Sequence, residues 1–257
     1  MKPRQVRRSQ RAKPDWQERA NNMLPSTPSL ALYADQDILV VNKPADLPTL
    51  VDGYRPEAPY LLGLLKAEYG ELWVVHRLDR QTSGVIVFAR SAAAHRTLNI
   101  QFEKRKVEKV YHALVQGSPA WEAKNVNLPL RANGDRRHRS TVDAIRGKPC
   151  STELRLLERY ADHALLEAIP HTGRTHQIRA HLAALGHPIV GDHLYGGKSL
   201  EGLTRLGLHA SRLKFCHPVS GVEVEFRAPM PDDLTHALKT LRQENLSPPV
   251  EDDTLLS

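Results

Sequence analysis

The chain has 257 residues, 40% of them hydrophobic, which suffices for one large core or two small ones. No apolar run reaches the length of a membrane span, and the basic N-terminus lacks the apolar segment of a signal peptide; a cytoplasmic protein that does not enter a membrane is expected. A formal charge of +7 favours a polyanionic partner such as nucleic acid.

Residues 1–13 carry Lys2, Arg4, Arg7, Arg8, Arg11 and Lys13 and no acid. Such a segment cannot bury apolar surface, so residues 1–28 read as a basic disordered arm, and Pro25 to Pro28 as a linker. A folded domain is expected over 29–243, followed by an acidic, proline-containing tail over 244–257. Asp37 to Asn42 reads as a strand ended by Lys43-Pro44. Pro59 to Tyr69 reads as a short helix stopping at Gly70. Apolar runs at 72–75 and 85–88 read as two buried strands, with His76-Arg77-Leu78-Asp79-Arg80-Gln81-Thr82-Ser83-Gly84 at their junction. Ser91 can cap a helix to about Lys104, and Val107 to Gln116 reads as a strand.

Between 131 and 148 the chain holds Arg131, Arg136, Arg137, Arg139, Arg146 and Lys148 against Asp135 and Asp143, with few large apolar residues. An exposed basic loop or hairpin follows, suited to phosphate contacts that need arginine or lysine but no particular sequence. Strands are expected over 152–160 and 163–169, a helix over 175–185, an antiparallel pair over 208–215 and 222–227, and a last helix from Pro231 to about Leu241. Strands cluster without regular βαβ alternation, so the fold class is α+β with a mixed, largely antiparallel sheet in one catalytic domain.

Asp79 is the one carboxylate in a run holding Arg77 and Arg80. A nearby guanidinium favours the charged form of an acid, and a charged carboxylate suits a nucleophile rather than a general acid. Taken alone, the cluster equally describes a structural ion pair at a strand end. His171, His176 and His181 invite a metal reading, but a spacing of five does not place them on one helix face, and no metal or cofactor is expected. Cys150 and Cys216 read as reduced, packed thiols. Gly173-Arg174-Thr175 at a helix start could seat an anion.

Four stretches in order carry a family resemblance: Val41-Asn42-Lys43-Pro44-Ala45; His76 to Gly84; Lys109-Val110-Tyr111-His112-Ala113-Leu114-Val115; and His171 to Arg179, continuing through Gly186 to Asp192 and Tyr195-Gly196. Together they resemble the RluA-type pseudouridine synthases, over about Leu30 to Pro229. The resemblance implies the pseudouridine synthase fold and isomerisation of uridine in structured ribosomal or transfer RNA, without cofactor or metal, by a monomer. By position, Asp79 matches the catalytic aspartate, Tyr111 the tyrosine that packs on the target base, and Arg179 the arginine paired with the aspartate. Arg77 matches a residue that enters the RNA stack as the uridine leaves it. Arg80, His76, Lys43, Arg174 and His176, with Arg136, Arg137 and Arg139 of the basic segment, are candidate RNA contacts. The chain departs from the pattern at Asp46, where the family usually has glycine, and in the loop Pro48 to Arg55. Two rival readings are a non-catalytic RNA-binding or ribosome-assembly module with a relic site, and a glycosidase. The first is disfavoured by the joint presence of Asp79, Tyr111 and Arg179, the second because glycosidases usually need two carboxylates.

Overall fold

The computed structural model describes residues 30–246; the expected basic arm and all but the start of the acidic tail lie outside them. In chain order the elements are β1 (Ala31–Ala34), β2 (Ile38–Lys43), α1 (Leu61–Tyr69), β3 (Trp73–Val74), β4 (Ser83–Ala89), α2 (Ala92–Glu103), β5 (Glu108–Gln116), β6 (Ala123–Val126), β7 (Leu130–Arg131), β8 (Thr141–Val142), β9 (Thr152–Arg159), β10 (His163–Pro170), α3 (Gln177–Ala184), β11 (Leu208–Cys216), β12 (Glu223–Arg227) and α4 (Asp232–Leu246). Ten strands form one sheet, ordered β1-β2-β4-β11-β5-β10-β9-β6, with β3 added on β4 and β12 on β11. The class is α+β as expected, and the sheet is mixed only because β4 and β11 run parallel; its other pairs are antiparallel.

Burial explains the strand sequences. All seven residues of β4, Ser-Gly-Val-Ile-Val-Phe-Ala, are buried, and a strand covered on both faces reads as a continuous apolar run. Helices α1 and α2 close over β2 and β4, with Leu61, Leu65, Ala94 and Leu98 meeting Val41, Ile86 and Phe88 in one cluster. A second cluster joins β5, β9 and β10 to Ile178 and Leu182 of α3. A third packs Leu234, Ala237, Leu238 and Leu241 of α4 on Leu114 and Leu165. Ser91 caps α2, its hydroxyl accepting from Ala94 N at 3.1 Å. At α4, Arg205 donates to both carboxylate oxygens of Asp233 at 2.6 and 2.7 Å, in the helix's first turn, where a negative charge also complements the helix dipole.

Helix α3 begins two residues later than the sequence suggests, because His176 stands at its N-cap in the left-handed region (φ 54°). Gly84 lies inside a strand rather than at the junction of the two strands. The turn closes earlier, with Thr82 N donating to Asp79 O at 3.1 Å, and Gly84 already lies in β4 at φ 117°. What requires glycine is the parallel neighbour: a Cβ on Gly84 would sit 2.2 Å from Ala210 O. An L side chain would meet both a forbidden backbone region and a backbone wall. Gly84→Ala is therefore expected to cost about 3 kcal/mol or more of folding stability, read as a drop in the denaturation midpoint; a midpoint unchanged from the parent would contradict the close approach.

Candidate active site

β3 and β4 pair antiparallel, Trp73 with Ala89 and Val74 with Phe88. The loop between them carries the His76 to Thr82 motif across the end of the sheet. Two clips hold this loop from below. Lys43 is completely buried, and its Nζ donates to Pro44 O (2.8 Å), Leu47 O (2.7 Å) and Arg80 O (3.0 Å). Thr49 Oγ1 donates to Leu78 O (2.9 Å) and accepts from Leu78 N (3.3 Å). Burial pulls the Lys43 ammonium down to about 7, against the opposing charges of Asp46 and Asp79. Lys43 therefore does not reach RNA; it is an enclosed strut, and that candidate contact is corrected.

The Asp79 side chain is about one-quarter exposed. Its Oδ2 accepts from Arg179 Nη1 at 3.2 Å and lies 3.6 Å from His176 Nε2. Arg179, on α3, is 6% exposed at its side chain and is aimed by Asp192, receiving Nε and Nη2 on its two oxygens at 2.7 and 2.8 Å. This two-pronged pairing fixes the plane of the guanidinium and leaves Nη1 for Asp79. Burial opposes the charge on Arg179, but the two carboxylates prevail and hold its pKa up. The arginines adjacent to Asp79 in sequence are not its partners. Arg80 is turned to Asp46 O (3.2 Å), and Arg77 is exposed at the rim. Alternation along an extended segment turns Arg80 away from its neighbour Asp79, whereas a guanidinium from another element can approach head-on.

A cleft opens at Asp79, lined by Arg77, Phe102, Lys109, Tyr111, Thr172 and Arg174 among others; a second groove on the other side of Asp79 is lined by Thr49 to Asp52, Arg80 and Leu194. Tyr111 projects from β5 near the middle of the sheet, touching both large core clusters. Burial, and then the Asp79 charge, raise its pKa, so the phenol stays protonated. An acid–phenol pair thus faces the cleft, together with a fixed guanidinium: a carboxylate for an electron-poor carbon and an aromatic platform for a flat ligand.

The loop before α3 is internally braced. Gln177 Oε1 accepts from Thr172 Oγ1 (2.6 Å) and Arg174 N (3.1 Å), and its amide donates to Ser151 O and Thr152 Oγ1, both at 2.9 Å. The Arg174 amide is thereby occupied, and its side chain is exposed at the cleft. His176 continues the network: its Nδ1 lies 3.2 Å from Tyr195 Oη, which donates to Ser140 O (3.0 Å) and accepts from Ser140 N (2.9 Å). The Tyr195 ring lies beneath the guanidiniums of Arg179 (5.1 Å) and Arg139 (5.7 Å).

His76 stacks on Phe102 with centroids 4.6 Å apart, and its Nε2 accepts from Val87 N at 3.1 Å, continuing the β3 edge. Burial, with Lys109 nearby, lowers its pKa to about 3, so His76 lines the cleft as a neutral ring. Residues 130–142 form the expected basic hairpin, β7 with β8. Its acids make turns: Asp135 Oδ1 accepts from Arg137 N and Arg139 N, and Asp143 Oδ1 from Ile145 N and Arg146 N. Arg136 and Arg137 are exposed, while Arg139 is held by Asp135 (2.5 Å) and Leu194 O (3.2 Å) and braces the hairpin instead. His171 is exposed beside Glu153, and His181 bonds Thr152 and Leu128 in the interior, so the three histidines do not converge. Asp35, Asp37 and His217 do gather at the β1–β2 turn, where Asp35 is already engaged by Asp37 N, Ile38 N and Tyr33 Oη, each at 2.8 Å. Asp192, Tyr195 and Thr49 went unassigned in the sequence reading; the first two stand within the quoted motifs, and their positions were the available signal. Asp46, where the family usually has glycine, adopts φ 60°, a conformation aspartate tolerates.

Asp192→Asn removes the charge that offsets the buried Arg179. A loss of about 3–5 kcal/mol is expected in chemical denaturation, and a loss under about 1 kcal/mol would show that Asp192 is not the anchor. A pH effect follows from His76 and from His209, lowered by burial to about 4. Both histidines bind protons more readily when unfolded, where the usual value is about 6.5. Their contribution is present in full above that value and is lost as pH falls from about 6.5 towards 4 and below. Denaturation midpoints measured across this window should decline with acid, and less steeply in His209→Gln.

A sequence profile of the RNA pseudouridylate synthase family matches residues 37–184. Among curated proteins, the ribosomal large subunit pseudouridine synthase C of Vibrio cholerae is 39% identical over 226 residues, 82% of this chain and 69% of the relative. The ribosomal large subunit pseudouridine synthase D of Neisseria meningitidis is 36% identical over 234 residues, 83% of this chain and 61% of the relative. Among solved structures, Human RNA Pseudouridylate Synthase Domain Containing 1 superposes with a TM-score of 0.68 at 30% identity, covering 88% of this chain and 99% of that one. Human RNA Pseudouridylate Synthase Domain Containing 4 gives 0.69 at 28%, covering 84% and 95%. With the profile spanning more than half of the chain and the relatives sharing over a third of their aligned residues, this chain belongs to the RNA pseudouridylate synthase family.

Proposed function

We propose that the chain isomerises a uridine of large-subunit ribosomal RNA to pseudouridine, with Asp79 acting at C1′ of the flipped nucleotide. The observation that carries this reading is the Asp79 carboxylate held at the cleft by Arg179 beside Tyr111. The reaction breaks the C1′–N1 bond, turns the base and rebonds it through C5. Each step has a matching group. The carboxylate of Asp79 covers the electron deficiency at C1′, by attack or by electrostatics. Tyr111 lies under the base as it turns. Arg179, locked by Asp192, keeps Asp79 aimed. Extracting a base costs a few kcal/mol of stacking and pairing, and exposed Arg77, which lines both the cleft and the neighbouring groove, is placed to fill the gap in the RNA stack.

Specificity for one RNA site comes in this reading from shape. Exposed Arg174 and Arg80 line the cleft and the neighbouring groove, and exposed Arg136 and Arg137 on the hairpin offer further phosphate contacts. The names of the relatives favour ribosomal RNA. A transfer RNA loop meets the same requirement for a flippable uridine and is the second substrate to assay.

The test is pseudouridine formation in RNA from cells lacking the gene, mapped at nucleotide resolution. Wild-type protein should restore modification at one or a few uridines. Asp79→Asn, nearly the same shape without the charge, should reduce the rate by at least about 10⁴-fold while binding RNA as tightly as the parent. Conversion by the asparagine variant at the parental rate would refute the assignment, and a wild-type chain that binds RNA without converting it would favour the assembly-module reading.

A further inference from the structure

Two lysines are withdrawn from water by the fold, and they are equipped differently. Lys43 Nζ is enclosed and spends its three donors on three carbonyls. Lys109 is partly buried on β5 and lines the cleft. Its Nζ donates to one carbonyl, Thr172 O at 3.0 Å. An ammonium has three donors, so two remain without a partner among the described residues, on a side chain that lines the cleft. Among the described residues no carboxylate forms an ion pair with it, whereas Arg179 in the same cleft has two. Burial pulls Lys109 down to about 8, with no opposing acid. A cation held in a cleft without a counter-charge is costly, and the missing partner is most simply the ligand.

Position says which part of the ligand. Lys109 stands two residues before Tyr111, so both side chains leave the same face of β5, about 7 Å apart along the strand, roughly the width of a pyrimidine. Arg77, Arg105 and Arg174, the exposed arginines of the cleft, are available for phosphates at the mouth. We propose that Lys109 is a further catalytic residue: its ammonium hydrogen-bonds a carbonyl oxygen of the flipped uracil and stabilises the negative charge that the base carries while detached. The inference rests on the function proposed above, with Tyr111 under the base.

The chemistry requires such a group. When C1′–N1 breaks, its electron pair leaves with uracil and spreads over N1, O2 and O4, while Asp79 attends C1′. The base then turns, and an electron pair at C5 forms the new bond to C1′. A proton leaves C5 and one is taken up at N1, so the sum is an isomerisation. Lys109 keeps its protons throughout. A spherical ammonium on a flexible stem can follow a turning oxygen, which a flat, forked guanidinium does less well.

The test compares Lys109→Gln, which keeps a donor for Thr172 O but loses the charge, with Lys109→Arg, which keeps the charge. Rates are measured in single turnover at saturating RNA, alongside RNA Kd over a range of salt. The glutamine variant is expected to fall about 10²–10³-fold in rate, with Kd within about threefold of the parent and an unchanged salt slope; the unchanged affinity shows that it is folded. Arginine is expected to recover at least tenfold over glutamine. A glutamine rate within about threefold of the parent overturns the proposal. So does a weaker Kd whose log–log salt slope shrinks by about 0.7–0.9 at an unchanged saturated rate, since that marks a phosphate contact. Arginine no better than glutamine would leave only a structural tie to Thr172. Wild-type protein that forms no pseudouridine would instead remove the underlying reading, and Lys109's role with it.

Discussion

The guanidinium of Arg179 is the piece on which the site depends. It reaches Asp79 from a helix 100 residues further along the chain, and it can do so only because Asp192 takes two of its nitrogens first. Neither contact alone would serve. A single hydrogen bond from a free arginine leaves many rotamers open, and a long side chain gives up about 2 kcal/mol of entropy when fixed. The buried fork with Asp192 meets that cost ahead of the substrate. Asp79, about one-quarter exposed, then remains open to a ligand on one side while its charge is balanced on the other.

The same fork organises what surrounds it. Tyr195 lies flat below Arg179 and Arg139 and passes its hydroxyl between Ser140 and His176. The basic hairpin is thus joined to the helix that presents Arg179, and its two acids build its turns while pairing with Arg139 and Arg131, which leaves Arg136 and Arg137 exposed. Beneath Asp79, Lys43 and Thr49 tie the motif loop to the segment after β2. Arg77 and Arg174 stand exposed at the cleft above this braced floor.

Much of this was legible in the sequence for physical reasons. The all-buried β4 reads as an unbroken apolar run, Ser91 announces α2, and Gly186 follows the end of α3. What stayed hidden depended on partners from elsewhere in the chain. Lys43 next to a proline looks like a surface cation until three carbonyls are seen to enclose it. Arg77 and Arg80 look like partners of Asp79 because closeness in sequence suggests contact, yet Arg80 turns to Asp46 O and Arg77 stands exposed. The need for glycine at 84 comes from Ala210, which no local pattern reveals. Asp192 and Tyr195 were visible as motif letters without a reason attached.

The parallel pairing of β4 with β11 has a consequence for biosynthesis. Ser83 and His209 are 126 positions apart, and the strand that carries the motif loop gains this neighbour only after most of the chain exists. Contacts of such long range form late, since loop closure must precede their reward. A nascent chain emerging from the ribosome would display the Asp79 loop well before Arg179 and Asp192 could lock it. The Asp79 loop therefore depends on residues made late, and the site is whole only once β11 has joined β4.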